Sequence, residues 1–193
     1  GTGGIRKTNG GMLLLTGNNT YSGTTFLEGG GITAGTDSAL GTGAIYFQNG
    51  TALFGHGGAR TLANAMFFPP TNDHHVYFVG NTLVNGAYLG NGGNNLLFTG
   101  PANLAVLNGG RTFFHVGVAG NVEFSGGIGE VFGGQNLFKR GYGSMTLSGQ
   151  NTYSGSTEIE TNGGKIILTD QGTILNTTTF LIRENAEFIV DNR

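Results

Sequence analysis

The residues with which this 193-residue chain could do chemistry are four histidines, eleven carboxylates and a large excess of glycine. Gly55-His56-Gly57 is the first arrangement to consider. An imidazole beside paired carboxylates would suit glycoside hydrolysis, where one acid protonates the leaving oxygen and another carboxylate activates water. Here the carboxylates are spread thinly from Glu28 to Asp191 with no Asp-Asp pair, so His56 has no evident partner. Asp73-His74-His75, with His115 elsewhere, raises metal coordination. Adjacent histidines on a strand point to opposite faces and rarely share one ion. The run PPTNDHH reads as the start of a protruding loop, and His115 in TFFHVGV as an outward side chain sharing a face with Phe113. Glu158 and Glu160 share a face and could serve acid–base work, but an exposed strand face accounts for them. Gly29-Gly30-Gly31 and Gly92-Gly93 lack the lysine and the following helix of a phosphate loop. No enzyme, metal or cofactor is expected from these residues.

The elements that would position such groups are short strands. Glycine makes up 39 of 193 residues, far above ordinary usage, while charged residues are 10% and hydrophobic residues 37%. Collagen is excluded, because the glycines have no period of three and there are only three prolines. Apolar content with a net charge of −2 argues against disorder. With no cysteine, disulfide frameworks and thiolate sites are out. Strands such as AIYFQ (44–48), VYFV (76–79), NLLFT (95–99), LAVL (104–107) and NVEF (121–124) alternate between Gly/Asn turns, an all-β pattern. Residues 59–67 are the least strand-like. Nine scattered Lys and Arg form no basic stripe, so nucleic acid is not an expected partner. No apolar run reaches the roughly 18 residues of a membrane helix, so membrane insertion is not expected.

The chain also repeats itself. LLLTGNNTYSGTT (13–25) and MTLSGQNTYSGST (145–157) align without gaps at an offset of 132, and Ile5, Lys7 and Gly11 fall on Leu137, Lys139 and Gly143. A sandwich has no reason to repeat a turn at long range, whereas a β-helix stacks its turns about 4.8 Å apart. Asparagine there would tolerate a left-handed backbone and hydrogen-bond along the stack. Coils of about 20 residues would give eight to ten turns and a rod of roughly 40–50 Å.

These two segments, and most clearly KRGYGSMTLSGQNTYSGST (139–157), resemble the autotransporter-associated β-strand repeat. The resemblance implies a right-handed parallel β-helix from a secreted or cell-surface bacterial protein. On it the expectation is a single solenoid segment, 1–193, of a longer chain, with repeat copies near 5–34 and 137–169. The motif residues, structural in kind, are Gly17, Asn19, Thr20, Tyr21, Ser22 and Gly23 in one copy. In the other they are Gly149, Asn151, Thr152, Tyr153, Ser154 and Gly155. The expected role is a rigid structural or adhesive stalk. The alternatives are a subunit of a head-to-tail extracellular filament and, less favoured, a polysaccharide-active β-helix enzyme. Expected partners are neighbouring repeats or like subunits end to end, and a host-surface or matrix glycan or protein.

Overall fold

The computed structural model describes residues 1–69, 72–78, 82–84, 87–89, 94–105 and 110–191. Val79, Gly92, Gly93, Val106 and Leu107 lie outside them. Most of the short apolar runs become strands, but the run at 104–107 contributes only Leu104, the end of a strand that begins at Ala102; outside one hairpin, strands pair with those of neighbouring turns. The first two turns carry β1 (Ile5–Lys7) and β2 (Met12–Leu15), then β3 (Thr25–Leu27) and β4 (Gly31–Ala34). The third carries β5 (Ile45–Phe47), β6 (Thr51–Gly55) and β7 (Arg60–Leu62). The fourth holds β8 (Met66–Phe68), β9 (Asp73–Phe78), a hairpin of β10 (Thr82–Val84) and β11 (Ala87–Leu89), and β12 (Leu96–Phe98). Next come β13 (Ala102–Leu104), β14 (Arg111–Val116) and β15 (Asn121–Phe124), then β16 (Ile128–Glu130), β17 (Asn136–Arg140) and β18 (Ser144–Leu147). The chain closes on β19 (Thr157–Ile159), β20 (Gly164–Thr169), β21 (Phe180–Ile182) and β22 (Ala186–Asp191).

Three parallel faces result. The first is β1-β3-β5-β8-β13-β16, the second β2-β4-β6-β9-β14-β17-β19-β21, and the third β7-β12-β15-β18-β20-β22. The all-β parallel solenoid expected from the sequence is therefore present, with about seven turns. The eight to ten turns expected from coil length were too many. Partners are twenty residues apart at Ile5 and Thr25 but 38 apart at Asp73 and Arg111, where the hairpin is inserted. Among the described residues no helix is long and apolar enough to cross a membrane.

The interior is filled by inward positions of all three faces. Phe47 and Phe68 come from the first face, Phe78 and Phe114 from the second, Phe98 and Phe124 from the third, and all six are essentially buried. Their rings meet across the axis, with Phe68 to Phe114 at 5.0 Å, Phe78 to Phe98 at 5.5 Å and Phe114 to Phe124 at 5.3 Å. Such pairs add to the burial of large apolar area.

Three local expectations are corrected here. Residues 59–67 supply β7 and the start of β8, because neighbouring turns complete their hydrogen bonding. Asp73-His74-His75 does not begin a loop but forms the first half of β9, with His74 buried. Motif asparagines do not take the left-handed positions. Those fall to Asn9, Asn162 and Asn185, at φ of 55 to 61°, where the chain turns from one face to the next. Asn185 Nδ2 donates to Asn162 Oδ1 at 3.2 Å, a two-rung ladder.

Truncating Phe114 to Ala opens a hole shared by all three faces and is expected to cost about 3–5 kcal/mol. Phe67→Ala, on the outer side of the first face, should cost well under half as much. Urea denaturation of both variants checks the ranking.

Candidate functional site

The repeat is built around a corner. Lys7 and Lys139 occupy inward-facing strand ends, aligned with core residues such as Leu27 and Phe114. The turn that follows is left-handed, at Asn9 in one copy and Gly141 in the other. It directs carbonyl oxygens toward one point inside the corner. An ammonium has three N–H donors and no acceptor, which matches three carbonyls. Lys139 Nζ donates to the carbonyls of Arg140, Gly141 and Gly163 at 2.9, 2.7 and 2.7 Å. Lys7 Nζ does the same to Thr8, Asn9 and Gly29 at 2.7, 2.8 and 2.9 Å. Burial pulls Lys139 down to about 7 from its ordinary 10.5. Sequence alignment exposes the recurrence of this lysine but not its role, since a lone Lys beside glycines looks like any surface charge.

The Asn-Thr-Tyr-Ser-Gly segment lies one strand beyond that corner and takes the place of a strand. Tyr21 and Tyr153 each bond Thr25 and Thr157 Oγ1 four residues on, at 2.8 and 2.7 Å. Asn19 Nδ2 donates to the Ala39 carbonyl of the next turn. Asn151 Nδ2 donates to the carbonyls of Gly149 and Thr173, and its Oδ1 accepts from the Ile128 amide. Gly23 and Gly155 sit where backbones of successive turns touch. A Cβ on Gly155 would lie 2.3 Å from the Gln135 carbonyl oxygen, and one on Gly23 2.5 Å from Gly3. Gly149 is similarly confined against Ser125, whereas Gly17 meets nothing within 4 Å.

The two copies do not stack on each other. In the first, residues 16–24 leave the second face and return to the first, covering the third. In the second, residues 148–156 leave the third face and return to the second, covering the first. The offset of 132 residues is therefore five turns plus one face. Surroundings differ accordingly. Ser148 and Ser154 hydroxyls are tied to Glu123 and Glu130 at 2.6 Å each, and Tyr153 is 1% exposed. Around the first copy, a groove of about 570 Å³ opens on the third face. Asn18, Asn19, Thr20, Asp37, Ser38 and Asn64 are among the residues lining it.

The histidines gather on the outer side of the second face, through β9 and β14. His75 stacks on Phe113 at 4.4 Å and His115 on Tyr77 at 4.3 Å, with His75 Nδ1 and His115 Nε2 hydrogen-bonded at 2.9 Å. His115 thus points outward as expected but is covered by its neighbours. Arg140 lies over Phe113 at 4.1 Å and pairs with Glu160, Arg183 pairs with Glu158, and Arg111 with Asp73. Three cations and three carboxylates balance, so the cluster offers no net charge to a ligand. Glu158 and Glu160 share a face, but Glu158 is 8% exposed under Arg183, not on an open surface. His74 points inward, its ring against the backbone of Pro69 and Phe47. Burial lowers it to about 4, and burial with the adjacent His75 lowers His115 to about 3.

Gly55-His56-Gly57 forms an exposed turn in which His56 N–H bonds the Ala34 carbonyl. No carboxylate bonds its ring among the described residues, and no group of three metal-ligating side chains occurs among them. On the first face, Phe26, Tyr46 and Phe67 form an outer stack at 5.5 and 4.8 Å, so their ring faces are occupied by one another.

Residues 5–36 and 137–166, together about a third of the chain, match the family described as the passenger-associated-transport-repeat. The two copies thus coincide with the two lysine-closed corners and the loops that follow them. No curated protein and no solved structure matches the chain.

Two pH effects follow. Between about pH 7 and 10 the unfolded chain binds a proton at Lys139 that the folded chain has released, so stability rises with pH by up to about 1.4 kcal/mol per unit. Urea titrations near pH 7.5 and 9.5 should show the rise, and Lys139→Met should flatten it while costing about 3 kcal/mol overall. Below its ordinary value of 6.5 each of His74 and His115 takes up a proton only when unfolded. Stability therefore falls between about pH 6 and 4 by up to about 1.4 kcal/mol per unit for each. His75 is lowered by burial as well, so His115→Phe should make that slope shallower without abolishing it.

Proposed function

We propose that this β-solenoid, with its two passenger-associated transport repeats, is a rigid spacer in a secreted or surface-displayed bacterial protein. The observation that carries the reading is the unbroken parallel order of the second face, eight strands long from β2 to β21. At about 4.8 Å per strand it spans roughly 34 Å along one axis. Every turn is locked to the next by backbone bonds and by side chains that cross between turns, so the rod bends little. Repeat proteins of this kind draw stability from neighbouring repeats and hold their ends at a fixed separation. The passenger-type repeat supports export, and the acid–base residues are engaged in ion pairs that brace the sheet.

Nitroxide labels at Ser22→Cys and Thr178→Cys test the rigidity. A spacer gives one narrow distance distribution by pulsed electron resonance. A broad distribution, like that of a flexible Gly/Ser linker, would sink the reading.

A further inference from the structure

We propose that the groove on the third face, over the first copy of the repeat, binds a neutral oligosaccharide. The groove exists because the first two turns have no strand on this face, where loops 16–24 and 35–44 run instead. Sheet begins again only at β7, and Ala63 and Asn64 close that side. Its volume, about 570 Å³, falls in the range of small-ligand sites, roughly 300–1,000 Å³.

The groups presented there are of one kind. Asn18, Thr20, Ser38 and Thr42 are exposed, and their amide and three hydroxyls have no partner among the described residues. Each can both donate and accept, which is what a pyranose hydroxyl requires of its partner. Asp37 adds an acceptor whose position is fixed, since its Oδ1 already takes the Thr61 N–H at 3.0 Å while Oδ2 is left over. The floor is held rigid by Asn64, which is 3% exposed and donates to the carbonyls of Leu40, Gly41 and Gly43. A preformed site avoids the ordering cost of binding.

The chemistry also says what the groove does not take. No lysine or arginine lines it, so an anionic ligand finds no counter-charge. Ala63 is the one apolar side chain in the lining, so an apolar ligand would bury little there. The inference stands apart from the spacer reading, which needs no ligand.

Calorimetric titration of the chain with cellohexaose, maltohexaose and chitohexaose tests it, with hexagalacturonate as the anionic comparator. At least one neutral hexasaccharide should bind with a Kd on the order of 0.1–1 mM, and hexagalacturonate more weakly. Ser38→Trp fills the groove from an exposed position and should weaken binding about tenfold or more, with an unchanged thermal midpoint. Asn18→Ala and Thr42→Ala should each weaken it by about threefold. Absence of binding by all three neutral sugars, or binding indifferent to Ser38→Trp, overturns the proposal. So does saturable binding of an extended Asn/Thr peptide in place of the sugars, which would assign the groove to strand addition at β7.

Discussion

In a parallel solenoid every backbone amide and carbonyl must be met by the turn before or after, and the corners are where this is hardest. Along the flat faces the ladder does it without help. At a corner the chain changes direction within two or three residues, and carbonyls converge on the inside. The Nζ of half-buried Lys7 and of buried Lys139 resolves this, lying within 2.7 to 2.9 Å of three carbonyls in each copy. One of those three belongs to the next turn, so the same ion closes its own corner and pins the register of the turn beside it. The strand-replacing loop, the hydroxyl pair Tyr153–Thr157 and the confined Gly155 all follow from a register fixed in this way.

Much of this was legible beforehand. Alternation in NVEF and TFFHV places Val122, Phe124, Phe114 and Val116 inside and Phe113 and His115 outside, as the structure has them. The 132-residue repeat pointed to a solenoid because a repeated turn has a use only where turns stack. What could not be read is long-range. The strand at Asp73–Phe78 opens on polar residues, and only Thr51 to Leu53 on one side and Arg111 to Val116 on the other make it a strand. The contact of His75 with His115 joins residues 40 apart across a hairpin insertion. The groove at Asn18 and Asp37 depends on strands that are missing, which alternation along the chain does not report.

The three faces divide the exterior by chemistry although one core serves them all. The first carries the stack Phe26, Tyr46 and Phe67, the second a charge-balanced cluster of aromatic, histidine and arginine side chains, the third a polar groove at one end. Exposed ion pairs contribute little singly, about 0–1 kcal/mol. Here they lie over Phe113 and Phe138, which are 1 and 8% exposed on an outward side. Covering those rings with the stems and flat heads of arginine buries apolar area that the core cannot reach.

That the two copies are five turns and one face apart has a geometric consequence. The unit carries its own corner, loop and return strand, and it starts from two different sides of the prism. Gain or loss of a single strand and its turn between copies would then swing whatever a distant copy displays by about a third of a revolution, with little change in height. A lineage of such rods can therefore aim its surfaces around the compass by small insertions, as a screw is advanced by part of a thread, while the packed interior stays continuous.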